Sequence, residues 1–72
     1  MKYAFEISTI TNSYYRGILD FTNRTLNGRP LTQEEVEHEA TEMYWFKTYE
    51  GRLINAKYVV TISLTKLEYK NG

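Results

Sequence analysis

The stretch Thr-Gln-Glu-Glu-Val-Glu-His-Glu-Ala-Thr-Glu-Met-Tyr-Trp-Phe, residues 32–46, decides how the rest of this chain is read. Its first four residues have the pattern of a capping box. The Thr32 hydroxyl can accept from the backbone N–H three residues on, and the Glu35 carboxylate can reach back to the Thr32 N–H. A helix therefore starts at Gln33, and the pattern carries it to an end between Tyr44 and Tyr49. At about 100° per residue, Val36, Ala40, Met43 and Tyr44 share one side with the Lys47 stem, and Glu34, Glu35, His38, Glu39 and Glu42 share the other. Where the helix stops decides the fate of two aromatics. A helix reaching Tyr49 sets Trp45 and Tyr49 on the glutamate side, near His38. A helix ending near Met43 or Tyr44 turns both into the core, and core burial is the expectation for Trp45. In that second case Tyr44–Tyr49 becomes a strand, paired through Glu50-Gly51 with Arg52 onward.

On either side the periodicity changes from helical to alternating. Lys2–Ile10 sets Tyr3, Phe5 and Ile7 against Lys2, Ala4, Glu6 and Ser8, a half-buried strand. Thr11-Asn12-Ser13 is a turn cluster. Tyr14–Phe21 reads as a second strand on its aromatic and branched content. The alternative is a helix from Ser13 or Asn12 to Gly28, burdened by Gly17, Thr22, Asn23 and Thr25. Asn27-Gly28-Arg29-Pro30 is a turn. From Arg52 to Tyr69 the pattern is strand-like, with Tyr58, Val60, Ile62 and Leu64 on one face. A phase shift to Leu67 and Tyr69 signals a bulge or a strand end. The Thr- and Ser-rich opposite face is expected to be wet or to meet another sheet. The expected fold is α+β: one domain, residues 1–72, with a three-stranded sheet in the order β-β-α-β and one acidic amphipathic helix on one face. The alternative order is β-α-α-β. Residues 70–72 are expected to be a frayed tail.

Charge is segregated along the chain. Five glutamates lie between Glu34 and Glu42 with no lysine or arginine among them, while the remainder carries nine cationic side chains against four anionic ones. The whole is formally neutral, so local potential and not net charge steers partners. Glu34 and Glu35 complement the helix dipole. Glu39 and Glu42 lie beyond the first turn and repel one another and Glu35. A basic partner would relieve that repulsion.

Seventy-two residues without cysteine exclude disulfides and thiolate chemistry, and one histidine excludes a multi-His metal site within one chain. No phosphate-cradling glycine loop, calcium-loop spacing or nucleophile–base arrangement is present. The chain is read as non-enzymatic and without a cofactor. No signal peptide and no apolar run near 20 residues is visible, so no membrane is expected and the location is taken as cytoplasmic. Eleven aromatic residues replace the missing staples, and a homodimer would serve the same end.

These features lead to a small protein-binding module that offers Glu35, His38, Glu39 and Glu42, with Trp45 and Tyr49 if exposed, to a basic protein surface. In composition the chain resembles small phage or mobile-element products. A basic surface commonly belongs to a protein that handles nucleic acid, so the most concrete version is an inhibitor or adaptor of such a protein, in the host cytoplasm if phage-encoded. Two alternatives stand beside this reading. One is a homo-oligomer associating through its sheet face. The other is weak nucleic-acid binding, using the scattered cations Arg16, Arg24, Arg29, Arg52, Lys57, Lys66 and Lys70 with Tyr14, Tyr15, Tyr58 and Tyr69. Zero net charge and an acidic helix argue against the last.

Overall fold

A computed structural model describes residues 1–67. Strand β1 (Lys2–Thr9) is the centre of a three-stranded antiparallel sheet, flanked by β2 (Tyr14–Asp20) and by β7 (Val59–Leu67). Between β2 and β7 lie a miniature hairpin, β3 (Thr25–Leu26) with β4 (Arg29–Pro30), then helix α1 (Gln33–Thr41), and a short ribbon, β5 (Trp45–Lys47) with β6 (Leu53–Asn55). A single 3-10 turn, Ala56–Tyr58, leads into β7. The fold is α+β with one helix, as expected. The strand inventory is larger: two ribbons of two strands each flank the helix, so the simple order β-β-α-β needs correction. The β-α-α-β alternative is excluded among the described residues, because Tyr14–Asp20 pairs with β1 over its full length. The expected frayed tail, residues 70–72, and Tyr69 lie outside the described residues.

Alternation along β1 builds the core. Tyr3, Phe5 and Ile7 are buried, and Ala4, Glu6 and Ser8 between them are half-buried. The helix contributes Val36 and Ala40, β2 contributes Leu19, and Phe21, Leu31 and Phe46 complete the cluster. Tyr3 meets Phe21 edge to face with centroids 6.1 Å apart, and Phe5 meets Phe46 at 5.5 Å. Such pairs add directional preference to the area they bury. The other face of the sheet stays open: Thr61, Ser63 and Thr65 are exposed, Ser8 and Thr61 share a hydroxyl hydrogen bond, and Arg16 is bonded to Glu6. The wet reading of that Thr/Ser face is the one realised.

Gly17 sits opposite Phe5 across the β1–β2 pair. A methyl group there would lie 2.5 Å from Phe5 Cε2 and 2.5 Å from the Lys47 carbonyl oxygen. The missing side chain thus admits both the Phe5 ring and the backbone of β5. The Tyr49 N–H then donates to the Arg16 carbonyl oxygen at 3.0 Å and fastens the end of β5 to β2.

Helix α1 is shorter than its apolar stripe suggested. It ends at Thr41, with Glu42 as C-cap, and the Thr41 hydroxyl bonds the His38 carbonyl at 2.6 Å. Continued as a helix, Phe46 would stand about 100° from the Val36/Ala40 stripe. As a strand residue it enters the core, only 2% exposed. Period two then sends Trp45 outward, where it is 50% exposed, and Tyr44, which precedes the strand, is 82% exposed. The expected core burial of Trp45 is corrected accordingly, and so is the place of Tyr44 on the buried stripe.

The phase change in the last strand is also displaced. Pairing with β1 runs evenly from Leu67 to Thr61 and then slips, Thr9 pairing with Val59, so that Val60 is the extra residue of a bulge. Val59, Ile62 and Leu64 pack on the core, and Val60 is 62% exposed. No shift occurs near Leu67, which faces the open side beside Lys2.

Two substitutions test this packing. Phe46→Ala should cost about 3–5 kcal/mol, most of the stability expected for so small a domain. Tyr44→Ala should stay within about 0.5 kcal/mol. Denaturant unfolding followed by circular dichroism separates the two, and equal losses would place Phe46 outside the core. Gly17→Ala should cost about 1–3 kcal/mol in the same assay, because backbone as well as ring must move.

Candidate functional site: the Trp45 groove and the acidic helix

The capping box forms as written in the sequence. The Thr32 N–H donates to Glu35 Oε1 at 2.9 Å, and the Glu35 N–H donates to Thr32 Oγ1 at 3.3 Å. Leu31 and Val36, both buried, occupy the positions of a hydrophobic staple around it. The adjoining hairpin turns through Asn27 and Gly28, at φ 53° and 78°, the two left-handed residues that a tight Asn-Gly turn requires. That turn brings Arg29 back beside the helix start. Its guanidinium grips Glu35 with two bonds, 2.7 and 3.2 Å. Arg24, ahead of the hairpin, reaches Glu39 at 2.9 Å. His38 Nε2 lies 2.9 Å from Glu42.

The acidic face is therefore partly neutralised from within. Glu35 and Glu39, both expected to meet a partner, are occupied by arginines of the body. Glu34 and Glu37 have no cationic partner among the described residues, and Glu42 has only the histidine. The sequence carried a signal for this. A capping box three residues beyond an Asn-Gly-Arg turn places the arginine within reach of the box glutamate.

Trp45 and Tyr49 are exposed but do not stand among the glutamates. Trp45 projects from the outer side of the β5–β6 ribbon, opposite to Phe46, and lines a groove of about 500 Å³. Its other walls come from the β1–β2 turn (Ile10), from β2 (Tyr15), from β6 (Leu53, Ile54) and from the 3-10 turn (Lys57, Tyr58). Ile10, Leu53 and Tyr58 are all well exposed. Cations border it: the Arg52 guanidinium lies over the Tyr15 ring, 6.0 Å from its centroid, and Lys57 Nζ lies 5.0 Å from that of Tyr58. No acidic residue is among the groove walls. Tyr49 belongs to a separate cleft with Glu6, Tyr14, Arg16 and Glu50. The six residues singled out in the sequence thus fall in three places: Glu35, His38 and Glu39 on α1 with Glu42 at its C-cap, Trp45 in the groove, and Tyr49 in the turn between β5 and β6.

Ile10, Leu53 and Ile54 were missed as candidates because single aliphatic residues near turns carry no signal of exposure. Tyr15, Tyr58, Arg52 and Lys57 were visible only as scattered stacking and cationic residues. Among the described residues no cluster of His, Cys, Asp or Glu is able to hold a metal ion, and no helix is long and apolar enough to cross a membrane. Comparison with protein families, with characterised proteins and with solved structures finds no match to this chain.

The Arg29 pair, together with the Thr32 N–H, holds the Glu35 carboxyl down at about 2, against an ordinary value of 4.5. Its folded-state affinity for protons is the lower one, so its contribution to stability is complete above pH 4.5 and fades as pH falls toward 2. In Glu35→Gln that portion of the acid sensitivity should vanish. Thermal unfolding from pH 6 down to about pH 2 checks this, with the two proteins expected to converge at the acid end. Parallel curves would show that the pair contributes nothing.

Proposed function

We propose that this chain is a non-enzymatic protein-binding module whose principal contact surface is the groove around Trp45. The observation that carries the reading is the exposure of Trp45 among Ile10, Leu53 and Tyr58 in one concave patch. A concave aromatic and aliphatic patch with a polar rim is where binding energy concentrates in protein interfaces. The lysine and arginine at its border favour a partner segment that sets apolar side chains next to carboxylates. Helix α1 supplies a second, weaker surface. Glu34, Glu37 and Glu42 remain to attract a basic region of the same partner, raising the rate of encounter more than the affinity. In its most concrete form the module is an inhibitor or adaptor that engages a nucleic-acid-handling protein through that basic region.

One observation favours a second reading. The groove interleaves aromatic rings with cations, a combination that also stacks single-stranded nucleobases. Against it, Arg52 already covers the Tyr15 ring, and Ile10, Leu53 and Ile54 suit aliphatic side chains better than flat bases.

Trp45 is the sole tryptophan, so its emission reports directly on the groove. Affinity capture with the wild-type chain, with Trp45→Ala and with Glu34→Lys/Glu37→Lys, followed by identification of what is retained, tests the assignment. Trp45→Ala should reduce retention of the partner by about tenfold or more. The double lysine variant should reduce it less, and the more so at low salt. The identified partner should shift the Trp45 emission to shorter wavelength. Retention unaffected by Trp45→Ala would remove the groove from the mechanism. Quenching by mixed oligonucleotides that weakens steeply with salt would establish the second reading instead.

A further inference from the structure

Strand β7 has one hydrogen-bonded neighbour, β1, and among the described residues nothing pairs with its other side. It runs for nine residues without proline or glycine and holds one charged side chain, Lys66. The opposite edge of the sheet differs: β2 carries Arg16 and Asp20, and the Tyr49 N–H caps its Arg16 carbonyl. Natural sheets protect long edges with charges, prolines or covering loops, and β7 has little of this. On its inner face Ile62 and Leu64 belong to the core yet stay half-exposed at its rim.

We propose that β7 pairs antiparallel with β7 of a second copy, joining two sheets into one of six strands. The second copy is singled out by the sequence of the strand itself, which is close to a palindrome about Ser63. With Ser63 on the twofold axis, Ile62 meets Leu64 of the other copy on the core face, and Thr61 meets Thr65 on the open face. Val60 meets the aliphatic stem of Lys66. The two pairs nearest the axis match like with like and each occurs twice, as the symmetry of an isologous contact requires, and cross-strand apolar and Thr–Thr pairs are the stabilising unit of a sheet. The two Lys66 side chains end about 20 Å apart along the strands, so no like charges oppose. The register is even in parity, so both cores and both copies of α1 lie on one side of the joined sheet. Zero net charge imposes no repulsion between copies. This contact is independent of the Trp45 groove, and its test does not involve that groove.

Sedimentation velocity from about 1 μM to about 1 mM reads the assembly directly. A concentration-dependent shift from monomer to dimer is expected. Ser63→Lys and Ser63→Glu each place like charges opposite one another on the axis, while in the monomer the new side chain points to solvent beside Glu6. Each alone should weaken the dimer by about fivefold or more, and mixing the two should restore it as a heterodimer. Amide exchange on the unmodified chain provides a second reading, with β7 amides gaining protection as concentration rises. A monomer at every concentration would overturn the proposal. So would a dimer indifferent to both charges, one that mixing does not restore, or one formed without protection of β7.

Discussion

The close approach of Phe5 to Gly17 is the constraint on which the rest of this small fold depends. A ring from the central strand lies where a neighbouring side chain would be, and the space left above it takes the backbone of β5. That approach draws Lys47 and Tyr49 against β2 and puts the Phe46 ring on Phe5. With Phe46 held inward, the chain ahead of it cannot remain helical. The helix gives way after Thr41, and strand alternation delivers Trp45 to the outside. One absent methyl group therefore sets the end of the helix and the outward position of Trp45. Chains of this size have few alternative contacts to absorb a change at such a point.

The distribution of charge shows how far linear segregation survives folding. Five glutamates lie along one rod in sequence, and the two arginines that reach them lie in the segments before it. The Asn-Gly hairpin folds those segments back along the helix, where Arg24 and Arg29 meet Glu39 and Glu35. Exposed pairs of this kind contribute little to stability, typically between zero and about 1 kcal/mol. Their larger effect is on the field outside the molecule. What remains unbalanced is a narrower strip, Glu34 and Glu37 with Glu42 beside His38, and a cationic border on the groove formed by Arg52 and Lys57.

Much of this architecture was legible where the local signal and the tertiary environment agree. The alternation of Tyr3, Phe5 and Ile7, the Thr32–Glu35 box and the Asn27-Gly28 turn are each fixed by short-range stereochemistry, and each appears as read. The errors arose where two periodicities compete. Residues 43–46 fit a helical stripe through Met43 and Tyr44 and equally a strand with Phe46 inward, and only contact with Phe5 decides between them. Val60 continues the alternation of Ile62 and Leu64 in sequence, but the pairing of Thr9 with Val59 expels it. The groove was the least visible feature, since its walls come from four separated segments and none of them is unusual alone.

The bulge at Val60 has an effect beyond the strand that contains it. It lies immediately after the 3-10 turn that carries Lys57 and Tyr58, opposite the end of β1 that leads to Ile10. An extra residue in one strand increases local twist and bends the strand. The separation between two walls of the groove is thus governed by backbone count, at a position whose own side chain is not part of the lining. Gain or loss of a single residue there would reshape the groove while leaving Trp45, Tyr15 and Tyr58 untouched.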